Sequence, residues 1–276
     1  MKRTVMVAIS TCAISLAAIS VRAQTFADPS VSNYWYGYQS NYGASGYLGG
    51  GYINPVPVSG GHLSLTLPSN GAPVGTNVST VLNWLFVYDD GTPQVESLYE
   101  GSLLGNLSSQ TAVTAIFRLT LSTPVGTTLD PSQMWYSTPG SLPTVRFLFE
   151  ANDPYTGGVP DPDMHWWSNP GAVGLTTMAN GEDYTLTVNL DPSLWSNDYG
   201  ANGMHDGGVA FENTLTNVFD FGLSFGAGNG FQNGVALMPG VTGSFDLSNL
   251  TTVPEPTSLA LVALGLGGLV LIRKRK

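Results

Sequence analysis

The strongest constraint on this chain is a two-residue alternation of apolar and polar side chains that recurs in separate segments. In Val113–Leu121, residues Val113, Ala115, Phe117, Leu119 and Leu121 share one face, with Thr114, Arg118 and Thr120 opposite. In Tyr184–Leu190, Tyr184, Leu186, Val188 and Leu190 oppose Thr185, Thr187 and Asn189. In Phe219–Phe225, Phe219, Phe221, Leu223 and Phe225 oppose Asp220, Gly222 and Ser224. Leu63, Leu65 and Leu67, and Phe245 with Leu247, repeat the pattern over shorter spans. Such alternation belongs to antiparallel strands with one face on a core and one in water. Leu82–Tyr88 and Val145–Phe149 are more continuously apolar and read as central strands, with Trp84 and Trp195 in the core.

Composition agrees. The 276 residues include 34 Gly and 18 Pro, which is unfavourable for a helical bundle. Asn-Gly pairs at 70–71, 180–181, 202–203, 229–230 and 233–234 are turn signals. No capped amphipathic helix of ten residues is visible between the termini, and there is no fixed-period repeat. The Tyr- and Gly-rich stretch 33–54 reads as a Gly-rich edge leading into the first strands, the alternative being a flexible aromatic arm. Residues 151–182 read as a long loop or one weak strand. The expectation is an all-β fold, one antiparallel β-sandwich of jelly-roll type over residues 24–250.

Both ends look like targeting segments. Residues 1–23 carry Lys2 and Arg3, an apolar run from Val5 to Ile19, and the small residues Val21 and Ala23, the layout of a signal peptide with a signal helix. The mature chain would start at Gln24. Cys12, the only cysteine, lies inside that run, so cleavage leaves no thiol chemistry and no disulfide framework. At the other end, Pro254-Glu255-Pro256 precedes the uncharged stretch 257–272, and Arg273, Lys274, Arg275 and Lys276 close the chain. The stretch reads as a short transmembrane helix whose basic end stays in the cytoplasm, placing the body outside. A buried core helix is the competing reading, and it leaves the four terminal bases unexplained. Between residues 24 and 253 only Arg118 and Arg146 face 18 acids, a net charge of −16. A body this acidic repels phosphate backbones, so nucleic acid is not an expected partner.

Residues 251–276 resemble the PEP-CTERM sorting signal of Gram-negative bacteria. The matching features, in order, are Val253, Pro254, Glu255, Pro256, the Leu/Gly/Ala-rich helix and the RKRK end. The resemblance implies exosortase as a partner, recognition near Pro254-Glu255-Pro256, membrane anchoring before processing, and release or transfer to the cell surface or exterior after export across the inner membrane. It is commonly linked to exopolysaccharide and biofilm. Pro254 and Pro256 lack amide hydrogens and favour extended backbone, which suits presentation to a protease. Residues 217–250 are similar to the closing strands of jelly-roll modules in PEP-CTERM proteins and in some carbohydrate-binding modules, a likeness that bears on fold more than on ligand.

Chemistry in the body is sparse at the level of motif. Gly222-Leu223-Ser224-Phe225-Gly226 matches G-x-S-x-G, but Ser224 sits inside an alternating strand and no helix follows. His62, His165 and His205 show no zinc spacing. Glu96, Glu100, Glu150, Glu182 and Glu212 form no acidic constellation on one strand, as a glycosidase pair sharing a strand would. Asp153, Asp161 and Asp163 lie in an oxygen-rich Gly/Pro segment that could wrap Ca²⁺, although ordinary Asp-Pro turns explain them too. Trp135, Tyr136, Trp166 and Trp167 are the candidate ligand-binding residues, because sugars stack on aromatic faces. Trp166 and Trp167 should point to opposite faces of a strand, with at least one exposed. The alternative is that they cap the open end of the sandwich. The expected function is a non-catalytic, exported surface or matrix protein that binds polysaccharide. The alternatives are a glycan-active enzyme on the same fold and a purely structural envelope protein.

Overall fold

The computed structural model describes residues 24–26, 29–43, 46–69, 79–99, 102–122, 134–136, 143–151, 162–169, 173–226 and 234–255. The signal segment 1–23, Pro256, the stretch 257–272 and the basic end 273–276 lie outside the described residues, as do Asp153 and Asp161. Residues Val21–Pro254 form one compact unit.

In chain order the strands are β1 (Gln24–Thr25), β2 (Trp35–Gly43), β3 (Gly46–Ile53), β4 (Val58–Ser59), β5 (His62–Thr66), β6 (Ser79–Tyr88), β7 (Gln110–Leu121), β8 (Met134–Tyr136), β9 (Thr144–Ala151), β10 (His165–Ser168), β11 (Val173–Gly174), β12 (Asp183–Asn189), β13 (Trp195–Asn197), β14 (Val218–Gly226), β15 (Val235–Leu237) and β16 (Gly243–Pro254). Two seven-residue helices, α1 (Pro93–Tyr99) and α2 (Val209–Leu215), interrupt them. The strands form two antiparallel sheets. One runs β12-β7-β16-β5-β4, with β1 also on β16. The other runs β13-β10-β9-β14-β6, with β2 and then β3 on the far edge of β6, β15 and β8 beside it, and β11 on β9.

The alternating segments occupy the positions that their pattern requires. Val113, Ala115, Phe117 and Leu119 of β7, Leu186 and Val188 of β12, and Phe221, Leu223 and Phe225 of β14 are all buried in one core. Phe225 meets Phe245 of the opposite sheet edge to face, with centroids 4.8 Å apart. Trp195 is fully buried in the same core. Phe219 departs from the pattern. A register shift between Val218 and Asp220 in the β14–β9 pairing breaks the alternation there, and Phe219 lines an outer pocket beside Asp220.

The stretch 33–54 folds as the β2–β3 hairpin at a sheet edge, not as an arm. The span 151–182 holds more than one weak strand: β10 and β11 both pair with β9. β16 continues past residue 250 to Pro254, which still pairs with Gln110, and Thr251 and Thr252 are buried. The start of the sorting motif is therefore built into the last strand of the sandwich. Gln24, the first residue after the expected signal cleavage, pairs with Leu250 of that strand. Among the described residues no helix is long and apolar enough to cross a membrane.

Candidate functional site

The two sheets present different outer faces. That of the first sheet carries Thr114, Arg118 and Thr120 from β7, Thr185 and Thr187 from β12, and Ser244 and Asp246 from β16. Arg118 is committed there to Asp183, with Nη2 2.8 Å from Oδ1. The outer face of the second sheet is aromatic at one end and acidic at the other.

Strand register builds this face row by row. His165, Glu150, Asp220 and Tyr88 stand side by side on β10, β9, β14 and β6. Two residues along each strand come Trp167, Leu148, Gly222, Phe86 and, on β2, Tyr36. The third row is Arg146, Ser224, Trp84, Tyr38 and, on β3, Tyr52. Because side chains alternate across a strand, all three rows point the same way. Above them opens a pocket of about 620 Å³, within the range of ligand sites. Its floor and one wall are Tyr36, Tyr52, Trp84, Phe86, Tyr88, Trp167 and Phe219; Glu150, His165, Asp198, Tyr199 and Asp220 form the other side.

The aromatic part is closely interlocked. Trp84 stacks on Tyr38 at 5.0 Å with an interplanar angle of 23°. Tyr36 lies 4.6 Å from Tyr88, and Tyr52 lies 5.2 Å from Tyr38. The Gly-rich β3 permits this, since a Cβ at Gly50 would sit 2.6 Å from the Tyr38 ring. Burial and a hydrogen bond with Tyr88 push the Tyr36 hydroxyl up to about 12, so it stays protonated. Tyr52 is 67% exposed and Tyr199 77%, and these two rings project furthest into solvent.

The acidic part is a contact network. His165 Nδ1 is 3.3 Å from Glu150 Oε1 and 3.8 Å from Asp198 Oδ2. Glu150 and Asp220 are cross-strand neighbours that share a hydrogen bond. Burial, then the charge of Glu150, holds the Asp220 carboxyl well above the usual carboxylate range. Asp220 keeps some surface toward the pocket, but its Oδ1 is buried without a hydrogen-bond partner among the described residues, and so is Oδ1 of Asp198. Burial lifts Asp198 to about 6, with His165 opposing the shift and Glu150 adding to it. Arg146 shares the outer face but is 1% exposed and turned to Asn169, with Nη1 to Oδ1 at 3.0 Å. Burial lowers it to about 10, still charged at neutral pH.

The residues expected to bind ligand are distributed differently from one another. Trp166 and Trp167 do face opposite ways, but both are fully buried, contrary to the expectation that one is exposed. Trp166 packs edge to face on Phe211 in the core and donates its indole hydrogen to Thr214 Oγ1 at 3.0 Å. Trp167 lines the pocket. Trp135 and Tyr136 lie in β8, opposite Ala236 and Val235 of β15. Trp84, expected in the core, instead sits half-buried on the outer face: β6 is apolar on both sides, Leu85 and Val87 inward and Trp84, Phe86 and Tyr88 outward. Asp163 accepts hydrogen bonds from Asn197 Nδ2 at 2.8 Å and lies 3.4 Å from His205 Nε2, away from the pocket. Among the described residues no cluster of three His, Cys, Asp or Glu side chains could hold a metal ion. Ser224 is fully buried mid-strand, where Trp167 Nε1 donates to its Oγ at 3.2 Å, so it has no nucleophile elbow. Asp198, Asp220 and His165 carry no local motif. Strand register unites His165 with Asp220, and the turn after β13 brings Asp198 to them.

Residues 252–276 match the PEP-CTERM protein-sorting motif. The motif marks the chain for export, for anchoring in the membrane before processing, and for processing by exosortase. A search of curated proteins finds no match.

Proposed function

We propose that this is an exported surface or extracellular-matrix protein of a Gram-negative bacterium that binds polysaccharide through the outer face of its second sheet, without catalysis. The observation that carries the reading is the aromatic floor of the pocket. Tyr52, Trp84 and Phe86 offer flat rings to the C–H faces of sugars, and the carboxyls beside them accept hydroxyl hydrogen bonds. Strands that alternate between two sheets, as β5, β6, β7, β9, β12, β14 and β16 do, are in keeping with a jelly-roll module of the carbohydrate-binding kind. The C-terminal tail delivers the pocket to where exopolysaccharide is found. Polysaccharide pull-down with Tyr52→Ala and Trp84→Ala tests the reading. Loss of retention in both supports it. Unchanged retention, or no retention of any polysaccharide by the parent protein, leaves a purely structural envelope protein. Intact mass of the exported protein from cells with and without exosortase tests the sorting step, and a mass that does not depend on exosortase would refute it.

Asp198 favours a second reading, a glycan-active enzyme on the same face. A carboxyl lifted to about 6 sits in the range of a general acid, and Glu150 lies on the other side of His165. Release of reducing ends, abolished by Glu150→Gln, would establish turnover. Binding without release keeps the first reading.

A further inference from the structure

We propose that the acidic end of this pocket selects glycans bearing free amino groups, and that it rejects uronic-acid polymers. The inference rests on the polysaccharide-binding reading and specifies its ligand class. Three carboxyls, Glu150, Asp198 and Asp220, line one side of the pocket, and among the described residues the only cation-forming side chain lining it is His165. The two arginines of the body are withdrawn. Arg118 is paired with Asp183 on the other sheet, and Arg146 is buried against Asn169. A uronate carboxylate entering here would meet the Glu150 side of the pocket in a partly desolvated site, where His165 is already engaged with Glu150 and Asp198.

An ammonium group meets the opposite situation. Asp198 and Asp220 both line the pocket beside Glu150, and each has one oxygen, Oδ1, buried without a hydrogen-bond partner among the described residues. A sugar amine carries three donors and one positive charge, which suits a wall lined by three carboxyl groups. The pyranose ring then lies against the Tyr88 and Phe219 end of the aromatic floor, whose centroids are 5.8 Å apart. The acetylated form of the same sugar has an amide with one donor and no charge, so it loses the ionic part of the interaction and keeps the stacking.

Calorimetric titration of the full chain in mild detergent tests this with four β-1,4-linked hexasaccharides: glucosamine, N-acetylglucosamine, glucose and mannuronate. The expected result is at least tenfold tighter binding of the glucosamine hexamer than of the glucose hexamer, and no measurable binding of mannuronate. In Glu150→Gln/Asp220→Asn the preference falls at least tenfold while glucose binding is retained, which also reports that the variant is folded. Glu182→Gln/Glu212→Gln removes two charges from exposed positions outside the pocket and leaves the preference within twofold. Mannuronate binding as tight as glucose, or a preference that survives the pocket variant or falls equally in the remote one, overturns the inference. Glucose binding without amine preference sinks this inference alone. Failure of every hexamer sinks the polysaccharide reading as well.

Discussion

Trp167 reaches across β9 to donate its indole hydrogen to Ser224 on β14, at 3.2 Å between two fully buried side chains. The bond ties the back of the pocket to the strand that carries Asp220. Ser224→Ala removes a hydrogen bond between two buried side chains, at a cost of about 1–2 kcal/mol. For a domain of this size the melting temperature should drop by roughly 3–6 °C. Since Ser224 is a structural acceptor, no hydrolytic activity toward esters should be present to lose. An ester turnover that disappears in Ser224→Ala would contradict this assignment.

Gly222 lies one step along the same strand, between Leu148 and Phe86 in the middle row of the outer face. A Cβ there would collide with the Leu85 carbonyl oxygen and would sit 2.6 Å from Phe86 Cα. Those atoms belong largely to backbone, which cannot give way without parting β14 from β6. Gly222→Ala should therefore destabilise the fold by about 3 kcal/mol or more, at or beyond the upper end of ordinary overpacking. Denaturant unfolding measures it, and a midpoint unchanged from the parent would mean that the strands are less tightly apposed than described.

These two residues show which part of the fold is legible in the sequence and which part is not. Alternation alone places Asp220, Gly222 and Ser224 on the face opposite Phe221 and Leu223, because it depends only on neighbours along one strand. That this face carries a pocket depends on other strands, at Glu150, His165 and Tyr36, and on the turn after β13 at Asp198, and no spacing along the chain encodes how they come together. The continuous apolar run of β6 marked it correctly as central. It also concealed Trp84, since an aromatic outer face and a buried one look the same in a sequence. The C-terminal motif was legible because its chemistry is linear, although the strand pairing that holds Thr251–Pro254 in the sheet was not.

Tyr52 separates binding from folding better than any other residue of the floor. Its ring is 67% exposed, so Tyr52→Ala removes little buried surface and should change stability by less than about 0.5 kcal/mol. If polysaccharide lies on the aromatic floor, losing one stacking ring should weaken retention by about 1 kcal/mol, roughly fivefold. Affinity electrophoresis in gels containing polysaccharide, run beside a thermal melt, checks both halves. Unchanged mobility with an unchanged melt would move the binding surface elsewhere.

Asp198 provides a pH signature for the acidic end of the pocket. Its folded value is about 6 against 3.8 for the unperturbed group, chiefly through burial. The folded protein thus holds this proton more tightly than the unfolded chain does. Stability from the protonated carboxyl is complete below pH 3.8 and is lost as pH rises through 6, reaching a cost of about 2–3 kcal/mol at pH 7 and above. Asp198→Asn escapes that titration. The facing groups are His165 and Glu150, and beyond them Asp220, and all three are kept in both proteins, so the comparison is between variant and parent at each pH. The variant should match the parent near pH 4 and melt several degrees higher at pH 8, with the gap opening between the two. A gap of the same size at pH 4 and pH 8 would show that Asp198 is not held protonated by the fold, and with it would fall the case for Asp198 as a general acid.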